Sequence, residues 1–382
     1  MDAFDAFPIN YKKLCKFLME SELPSEDIFD RFKYDIRSAK EICTVGRGRS
    51  EICGTIFSKI LQNLGYKVHS SQDATFPDAF EPGYLVIAIS GSGTTSYTEE
   101  MAIKSKEGEA KLVTITSNPE TKLGGISDYV IKITGKTKTT ARREDYIERQ
   151  LIGNDALLMP LGTEFEIKFL LSTLSVIGTL EERGNVKEYY KKLNEKLFEY
   201  DPNHEEFRNI YKLIPKSFSA ENPFCGKTVI IGDGFSGLAG EYFEKRLGHT
   251  AKKDEERKVT FYTRGSRIDK QDLIFVISGS GRKESIPYEL TRKVKNEKGC
   301  KAVAITSFKD SPLAKICDCY SIVPGRVKES RKGMVGSYIS SNPMKSIFEL
   351  RTMLALECFI AAMAESEKIT ESDMESHHSI IT

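Results

Sequence analysis

The stretch LVIAISGSG at residues 85–93 decides the fold, because it recurs almost unchanged as LIFVISGSG at residues 273–281. Each copy is an apolar run rich in β-branched residues that ends in Ser-Gly-Ser-Gly, and a segment able to form a helix follows it. This order is typical of a buried parallel strand that leads into the N-terminus of a helix. The sequence therefore predicts an α/β unit that is present twice.

Three further landmarks repeat in the same order, each about 185 residues later, which makes the whole chain two copies of one unit. The copies predict two domains, residues 1–190 and residues 191–382, and the second includes a helical connector and a C-terminal tail. The landmark pairs are ICTVGRGRS (42–50) with VIIGDGFS (229–236), KLVTITS (111–117) with KAVAITS (301–307), and PLGTEFE (160–166) with PMKSIFE (343–349).

Within each copy, five apolar runs alternate with segments that can be helical, as in a doubly wound parallel sheet. We therefore expect two tandem flavodoxin-like α/β domains, each with a five-stranded parallel sheet, related by a pseudo-twofold axis. The expected strands are 42–45, 67–70, 85–89, 112–116 and 129–133 in the first copy, and 229–231, 259–262, 274–277, 302–305 and 320–323 in the second.

The composition excludes several classes of protein. The chain has 382 residues, a net charge of +1, 40% hydrophobic and 29% charged residues, which is ordinary for a globular protein. A near-neutral charge argues against a dedicated nucleic-acid binder. We expect no membrane association, because the apolar runs are too short for a membrane span and no signal-peptide pattern is present. The scattered cysteines favour reduced thiols in the cytoplasm and no bound metal.

The Ser-Gly-Ser-Gly turns are candidate phosphate sites. The helix N-terminus after each turn offers free N–H groups and a partial positive charge, and the serines add hydroxyl donors. The Gly-x-Gly-x-Ser turns also follow strands, so they can line the same pocket. The alternative is that the serines only cap helices. The candidates are Ser90, Gly91, Ser92, Gly93 and Thr95 with Gly48, Arg49 and Ser50 in the first copy, and Ser278, Gly279, Ser280 and Gly281 with Ser236 in the second.

A second alternative is dinucleotide binding. The segment GDGFSG (232–237) matches the Gly-x-Gly-x-x-Gly fingerprint of dinucleotide-binding turns. The first copy, however, has Glu51 in place of the last glycine. This alternative also leaves the Ser-Gly-Ser-Gly turn without a role.

The paired turns resemble those of the sugar isomerase (SIS) domain family, and the resemblance covers nearly the whole chain as two copies. Each half further resembles 3-hexulose-6-phosphate isomerase through the segment PLGTEFE (160–166) and through Thr-Phe-Pro at 75–77. The resemblance implies an aldose–ketose or ketose–ketose isomerisation through an enediol, without a cofactor. It makes Glu166 the base, with Glu349 as its counterpart. Thr163 and Glu166 also stand in capping-box spacing, so a capping role for Glu166 stays open.

The two copies differ at other positions that the resemblance marks as functional. The family histidine is His249 in the second copy and Asn63 in the first, whereas Arg49 of the first copy is replaced by Phe235. The second copy instead keeps the family's serine after the loop, Ser285. Because related isomerases build their site at a subunit interface, we hypothesise a composite site with the first phosphate loop, Arg49 and Glu166 from one copy and His249 from the other.

These observations favour a phosphosugar isomerase with a phosphosugar as its substrate, and they leave two alternatives. One is a non-catalytic phosphosugar sensor. It is suggested because the second copy has Phe235 and Lys283 in place of Arg49 and Thr95, and the first copy has Asn63 in place of the family histidine. The other is an amino-sugar phosphate isomerase that resembles the isomerase half of glucosamine-6-phosphate synthase, which also has two SIS copies. A homodimer is a further expectation, since single-copy relatives assemble as oligomers.

Overall fold

The computed structural model describes residues 2–135, 163–180, 184–219, 225–326 and 347–378. The segments 160–162 and 343–346, which lead into the two candidate bases, lie outside the described residues, as do most of the long loops before them. Among the described helices, none is both long and apolar enough to cross a membrane.

The first sheet is parallel throughout, with the strand order β2-β1-β3-β4-β5. Its central strand β3 is buried along its whole length, which is why its sequence is continuously apolar rather than alternating. The order reverses direction beside β1, so β1 and β3 carry the topological switch point of the sheet. The strands are β1 Glu41–Val45, β2 Val68–Ser70, β3 Tyr84–Ile89, β4 Lys111–Thr116 and β5 Tyr129–Lys132.

The second sheet repeats the first, with the order β7-β6-β8-β9-β10 and parallel pairing throughout. The predicted fold class, two five-stranded parallel sheets with flanking helices, is therefore confirmed. The strands are β6 Thr228–Gly232, β7 Val259–Phe261, β8 Leu273–Ile277, β9 Lys301–Thr306 and β10 Cys319–Ile322.

Helices connect the strands and cover the sheets. In the part of the chain that the structure describes they are α1 Phe7–Met19, α2 Glu26–Ser38, α3 Arg49–Asn63, α4 Ser96–Glu107, α5 Lys122–Ile126, α6 Thr163–Gly178, α7 Val186–Phe198, α8 His204–Tyr211, α9 Gly234–Gly248, α10 Ile286–Lys298, α11 Pro312–Ile316, α12 Ile347–Glu367 and α13 Glu371–His378. The pair α3 and α6 pack together, and so do their counterparts α9 and α12.

The chain divides into two compact units, one around each sheet. The first unit contains residues 17–195, and the second contains residues 2–16 together with the described chain from residue 196 onward. The division falls inside α1 and α7, so each of these helices contributes residues to both units. The domain boundary between residues 190 and 191 stays a prediction.

Candidate active site

The first Ser-Gly-Ser-Gly turn forms a tight loop at the carboxyl end of β3. Gly93 has φ +72°, a conformation that favours glycine, and its N–H donates to the Ser90 hydroxyl at 3.1 Å. The Ser90 and Thr95 hydroxyls lie 3.0 Å apart, and the Thr94 N–H donates to Ser92 Oγ at 3.3 Å. The predicted phosphate-binding hydroxyls and N–H groups are thus gathered into one loop, directly before α4.

The second turn repeats this geometry, but the residues that follow it differ. Gly281 has φ +54° and donates to the Ser278 hydroxyl at 3.3 Å. Ser285 is the N-cap of α10, where its hydroxyl accepts from the Tyr288 N–H. This capping contact is enough to explain a serine at this position. A phosphate-binding role for Ser285 therefore stays a prediction. Ser280 is partly buried in the same loop.

A phenylalanine fixes the start of α6 against the first loop, a contact that the sequence did not indicate. A methyl group on Gly91 would lie 3.0 Å from Phe165 Cδ1, and one on Gly135 would lie 2.7 Å from Phe165 Cβ. In the second unit, Phe348 lies in the same way against Gly279 and Gly325. Each phenylalanine directly precedes a candidate base, so this packing sets the position of the glutamate relative to the Ser-Gly-Ser-Gly loop.

In the first unit, Glu166 is buried and lies beside Arg49. The two side chains form an ion pair with 3.5 Å between Arg49 Nη2 and Glu166 Oε2, and Arg49 Nη1 donates to the Thr163 hydroxyl at 2.7 Å. Both charged residues are less than a tenth exposed. Arg49 is the first residue of α3, after Gly48 at φ +64°, and Ser50 beside it is also buried. The structure thus brings Arg49, Thr163 and Glu166 together.

In the second unit, Glu349 is 4% exposed and accepts a hydrogen bond from the Ser236 hydroxyl at 2.9 Å. The same carboxylate oxygen, Oε1, forms an ion pair with Arg326. Burial raises the pKa of Glu349, while Arg326 and Ser236 act in the opposite direction. A buried carboxyl group with a raised pKa suits a base that must take and return a proton.

His249 lies at the opposite end of α9 from Ser236. It is the C-cap of α9, whereas Ser236 lies in the first turn of the same helix. Thirteen residues of α-helix separate them by about 20 Å. The structure therefore does not bring His249 to the Ser236–Glu349 cluster of its own unit, and its role in a composite site stays a prediction.

The sequence did not indicate several residues that shape the candidate site. Arg326 follows β10 and has no counterpart of the same type, because the first copy has Lys136 after the equivalent glycine. The sequence indicates Phe165 and Phe348 only as members of a repeated motif. A signal was available for the phenylalanines, since a large apolar residue before the glutamate occurs in both copies next to glycine-rich turns.

The raised pKa of Glu349 has a measurable consequence for stability. A group whose pKa is raised by folding stabilises the fold below its unfolded pKa, 4.5 for glutamate, and this contribution is lost as pH rises through the folded pKa. Glu349→Gln removes the titration. We therefore expect the variant to gain stability relative to the wild-type protein as pH rises above 4.5, the unfolded value, measured as the urea midpoint at each pH.

The matched control for this comparison is Glu365→Gln, at the exposed C-terminal end of the same helix. We expect the control to leave the pH dependence of the urea midpoint as it is in the wild-type protein. Parallel pH profiles for the wild-type protein and Glu349→Gln would contradict the raised pKa.

Comparison with known proteins agrees with this organisation. The model of the SIS domain family matches residues 35–159 and 225–347, one segment for each sheet. The 3-hexulose-6-phosphate isomerase of Bacillus subtilis is 30% identical over 159 residues, which are 42% of this chain and 80% of that protein. The Bacillus subtilis protein is therefore about as long as one of the two copies in this chain.

Two solved structures share the fold over almost the whole chain. Tagatose-6-phosphate ketose/aldose isomerase from Escherichia coli superposes with a TM-score of 0.60 at 14% identity, covering 97% of this chain and 93% of that one. The C-terminal domain of glucosamine-fructose-6-phosphate aminotransferase from Francisella tularensis gives a TM-score of 0.57 at 14% identity, covering 94% and 97%. At this identity the likeness concerns the fold.

Proposed function

Because the chain belongs to the SIS domain family, in two copies, we propose that it is a phosphosugar isomerase that uses a glutamate base. The observation that carries the proposal is that each unit holds a buried glutamate, Glu166 or Glu349, on the helix packed against its Ser-Gly-Ser-Gly turn. A phosphate site and a base at one edge of a sheet are the two parts that this reaction needs.

The turn residues would bind the phosphate. The hydroxyls of Ser90, Ser92 and Thr95 and the N–H groups of Gly93 and Thr94 now bond mainly to one another. A phosphate would replace these neutral contacts by charge-assisted hydrogen bonds, each worth about 1.5–3 kcal/mol. Three or four such bonds would hold one end of a sugar firmly while the carbonyl end remains available for chemistry.

Glu166 would take the proton from the carbon next to the carbonyl, which leaves an enediolate, and would return it to the neighbouring carbon. The proton moves between two carbons and the hydroxyl proton moves between two oxygens, so no electron acceptor from outside is needed. Arg49, 3.5 Å from the Glu166 carboxylate, would keep that carboxylate in place and bind the phosphate on the first loop.

The substrate class follows from the phosphate loop and from the relatives. We propose a hexulose or hexose 6-phosphate, since the similar protein of Bacillus subtilis is a 3-hexulose-6-phosphate isomerase. An amino-sugar phosphate is the alternative substrate. A non-catalytic phosphosugar sensor is the alternative function, and the observation that favours it is Phe235, which is buried in the second unit where the first has Arg49.

The test is to incubate the protein with 6-phosphates of hexuloses, hexoses and amino hexoses, and to follow product formation by nuclear magnetic resonance. We expect interconversion of at least one ketose–aldose or ketose–ketose pair. Saturable binding of these compounds without interconversion of any of them would favour the sensor, and turnover confined to amino hexoses would favour the alternative substrate.

A further inference from the structure

The two copies pair their buried glutamates with arginines that come from different places in the sequence. In the first unit the partner of Glu166 is Arg49, at the start of α3. In the second unit that position is Phe235, and the partner of Glu349 is Arg326, which follows β10. A carboxylate–guanidinium pair is thus present in both units although neither arginine aligns with the other.

Arg326 also lies directly against the second phosphate loop. A methyl group on Gly279 would come within 2.8 Å of Arg326 Cγ and within 2.9 Å of Arg326 Nε. The side chain therefore passes over the loop backbone at its second residue and then reaches the Glu349 carboxylate. Its side chain is 29% exposed, whereas that of Glu349 is 6% exposed, so part of Arg326 faces solvent beside the loop.

The backbone of Arg326 is held in this place by Ser307. The Arg326 N–H donates to the Ser307 hydroxyl at 3.2 Å, and the Ser307 N–H donates to the Gly279 carbonyl at 3.1 Å. Ser307 thus ties Arg326 and the phosphate loop to the same end of β9. An arginine fixed in this way loses less conformational freedom when it binds an anion than one on a free surface.

The second unit also shows a polar atom that a ligand could satisfy. Glu349 Oε2 is buried and makes no hydrogen bond among the described residues, while Oε1 accepts from Ser236 and Arg326. Leaving a buried carboxylate oxygen without a partner is costly. A hydroxyl group of a bound sugar would supply the missing donor.

We infer that the second unit contains its own phosphosugar site, in which Arg326 binds the phosphate that lies on the Ser278–Gly281 loop and so takes the place of Arg49. The ligand class rests on the proposed function, but binding does not depend on turnover. The chain would then bind two phosphosugars, one at each Ser-Gly-Ser-Gly loop, through arginines from non-equivalent positions. Phe235 is explained as well, because the arginine it replaces is supplied from residue 326.

The test is the number of binding sites for glucitol 6-phosphate, which carries the phosphate but no carbonyl and so cannot be isomerised. Titration calorimetry on the full chain should give two equivalents for the wild-type protein. Arg326→Gln should weaken one of them about tenfold or more, the loss expected for one charge-assisted hydrogen bond. Arg49→Gln, the matched variant of the first unit, should affect the other equivalent, and the double variant should affect both.

Arg326→Lys keeps the charge and should restore part of the lost affinity, which a purely structural defect would not do. If circular dichroism shows that Arg326→Gln does not fold, Arg326→Lys becomes the test. In that case we expect Arg326→Lys to bind one equivalent more weakly than the wild-type protein does. Two equivalents of unchanged affinity in the folded Arg326 variants would overturn the inference, as would a single equivalent in the wild-type protein. Binding at two sites without isomerase activity would instead refute the proposed function and leave the role of Arg326 standing.

Discussion

Replacing both candidate bases, in the double variant Glu166→Gln/Glu349→Gln, is expected to lower kcat for phosphosugar isomerisation about 10³-fold, within the usual contribution of general base catalysis. Glutamine keeps the shape of the side chain and can still accept from Arg49 or Ser236, but it cannot take a proton. The Ser-Gly-Ser-Gly loops proposed to bind the phosphate are untouched, so KM should change little. Steady-state kinetics on the double variant and on both single variants would measure the effect.

The single variants assign the activity to the two units. If both glutamates work, each single variant keeps the turnover of the other unit, and only the double variant is inactive. Glu164→Gln is the matched control for the first unit, since Glu164 lies on the same helix turn and pairs with Lys168 at 2.6 Å. A double variant whose kcat stays within about threefold of the wild-type value would remove both glutamates from the mechanism.

The largest effect on stability is expected from Glu357→Gln. Glu357 and Arg246 form a bidentate pair between α12 and α9, with 2.8 Å from Arg246 Nε to Oε1 and 2.8 Å from Nη2 to Oε2. Both side chains are almost completely buried. The substitution replaces the carboxylate of this buried pair by a neutral amide, and breaking a buried ion pair from one side costs about 3–5 kcal/mol. Since α12 also carries Glu349, the loss would destabilise the helix that presents the second candidate base.

Hydrogen exchange of the second sheet is the appropriate measurement, because two units need not unfold in a single step. Peptides from β8 and β9 should exchange much faster in Glu357→Gln, while peptides from β3 and β4 should keep their protection. The double variant Arg246→Met/Glu357→Leu, which removes both charges, should recover most of the protection. Equal protection of β8 in Glu357→Gln and the wild-type protein would show that the pair contributes little.

The sheets could be predicted from the sequence because their strands are continuous apolar runs with sharp ends. Residues 85–89 are bounded by Gly83 and Ser90, and the observed strand Tyr84–Ile89 extends this run by one residue. The repeated sequence at residues 273–277 predicts β8 in the same way. Burial on both faces makes such strands easy to recognise, since no alternation has to be detected.

The two Ser-Gly-Ser-Gly loops were predictable because the motif is repeated, whereas the partners of the glutamates were not. Ser90 and Ser278 follow directly from the repeated motif. Arg326 could not be found by comparing the copies, because the pairing with Glu349 is preserved in space and not in alignment. Phe165 and Phe348 are repeated before the glutamate in both copies, but their contacts with glycine backbones depend on how the helix packs on the loop.

Proton exchange at the carbon next to the carbonyl tests the proposed mechanism most directly. A hexulose 6-phosphate incubated with the wild-type protein in D2O should acquire deuterium at that carbon, and the exchange should fall about 10³-fold in Glu166→Gln/Glu349→Gln. Deuterium incorporation that depends on these glutamates would establish an enediol mechanism. Tight binding of phosphosugars with no incorporation into any of the hexose or hexulose 6-phosphates would contradict it.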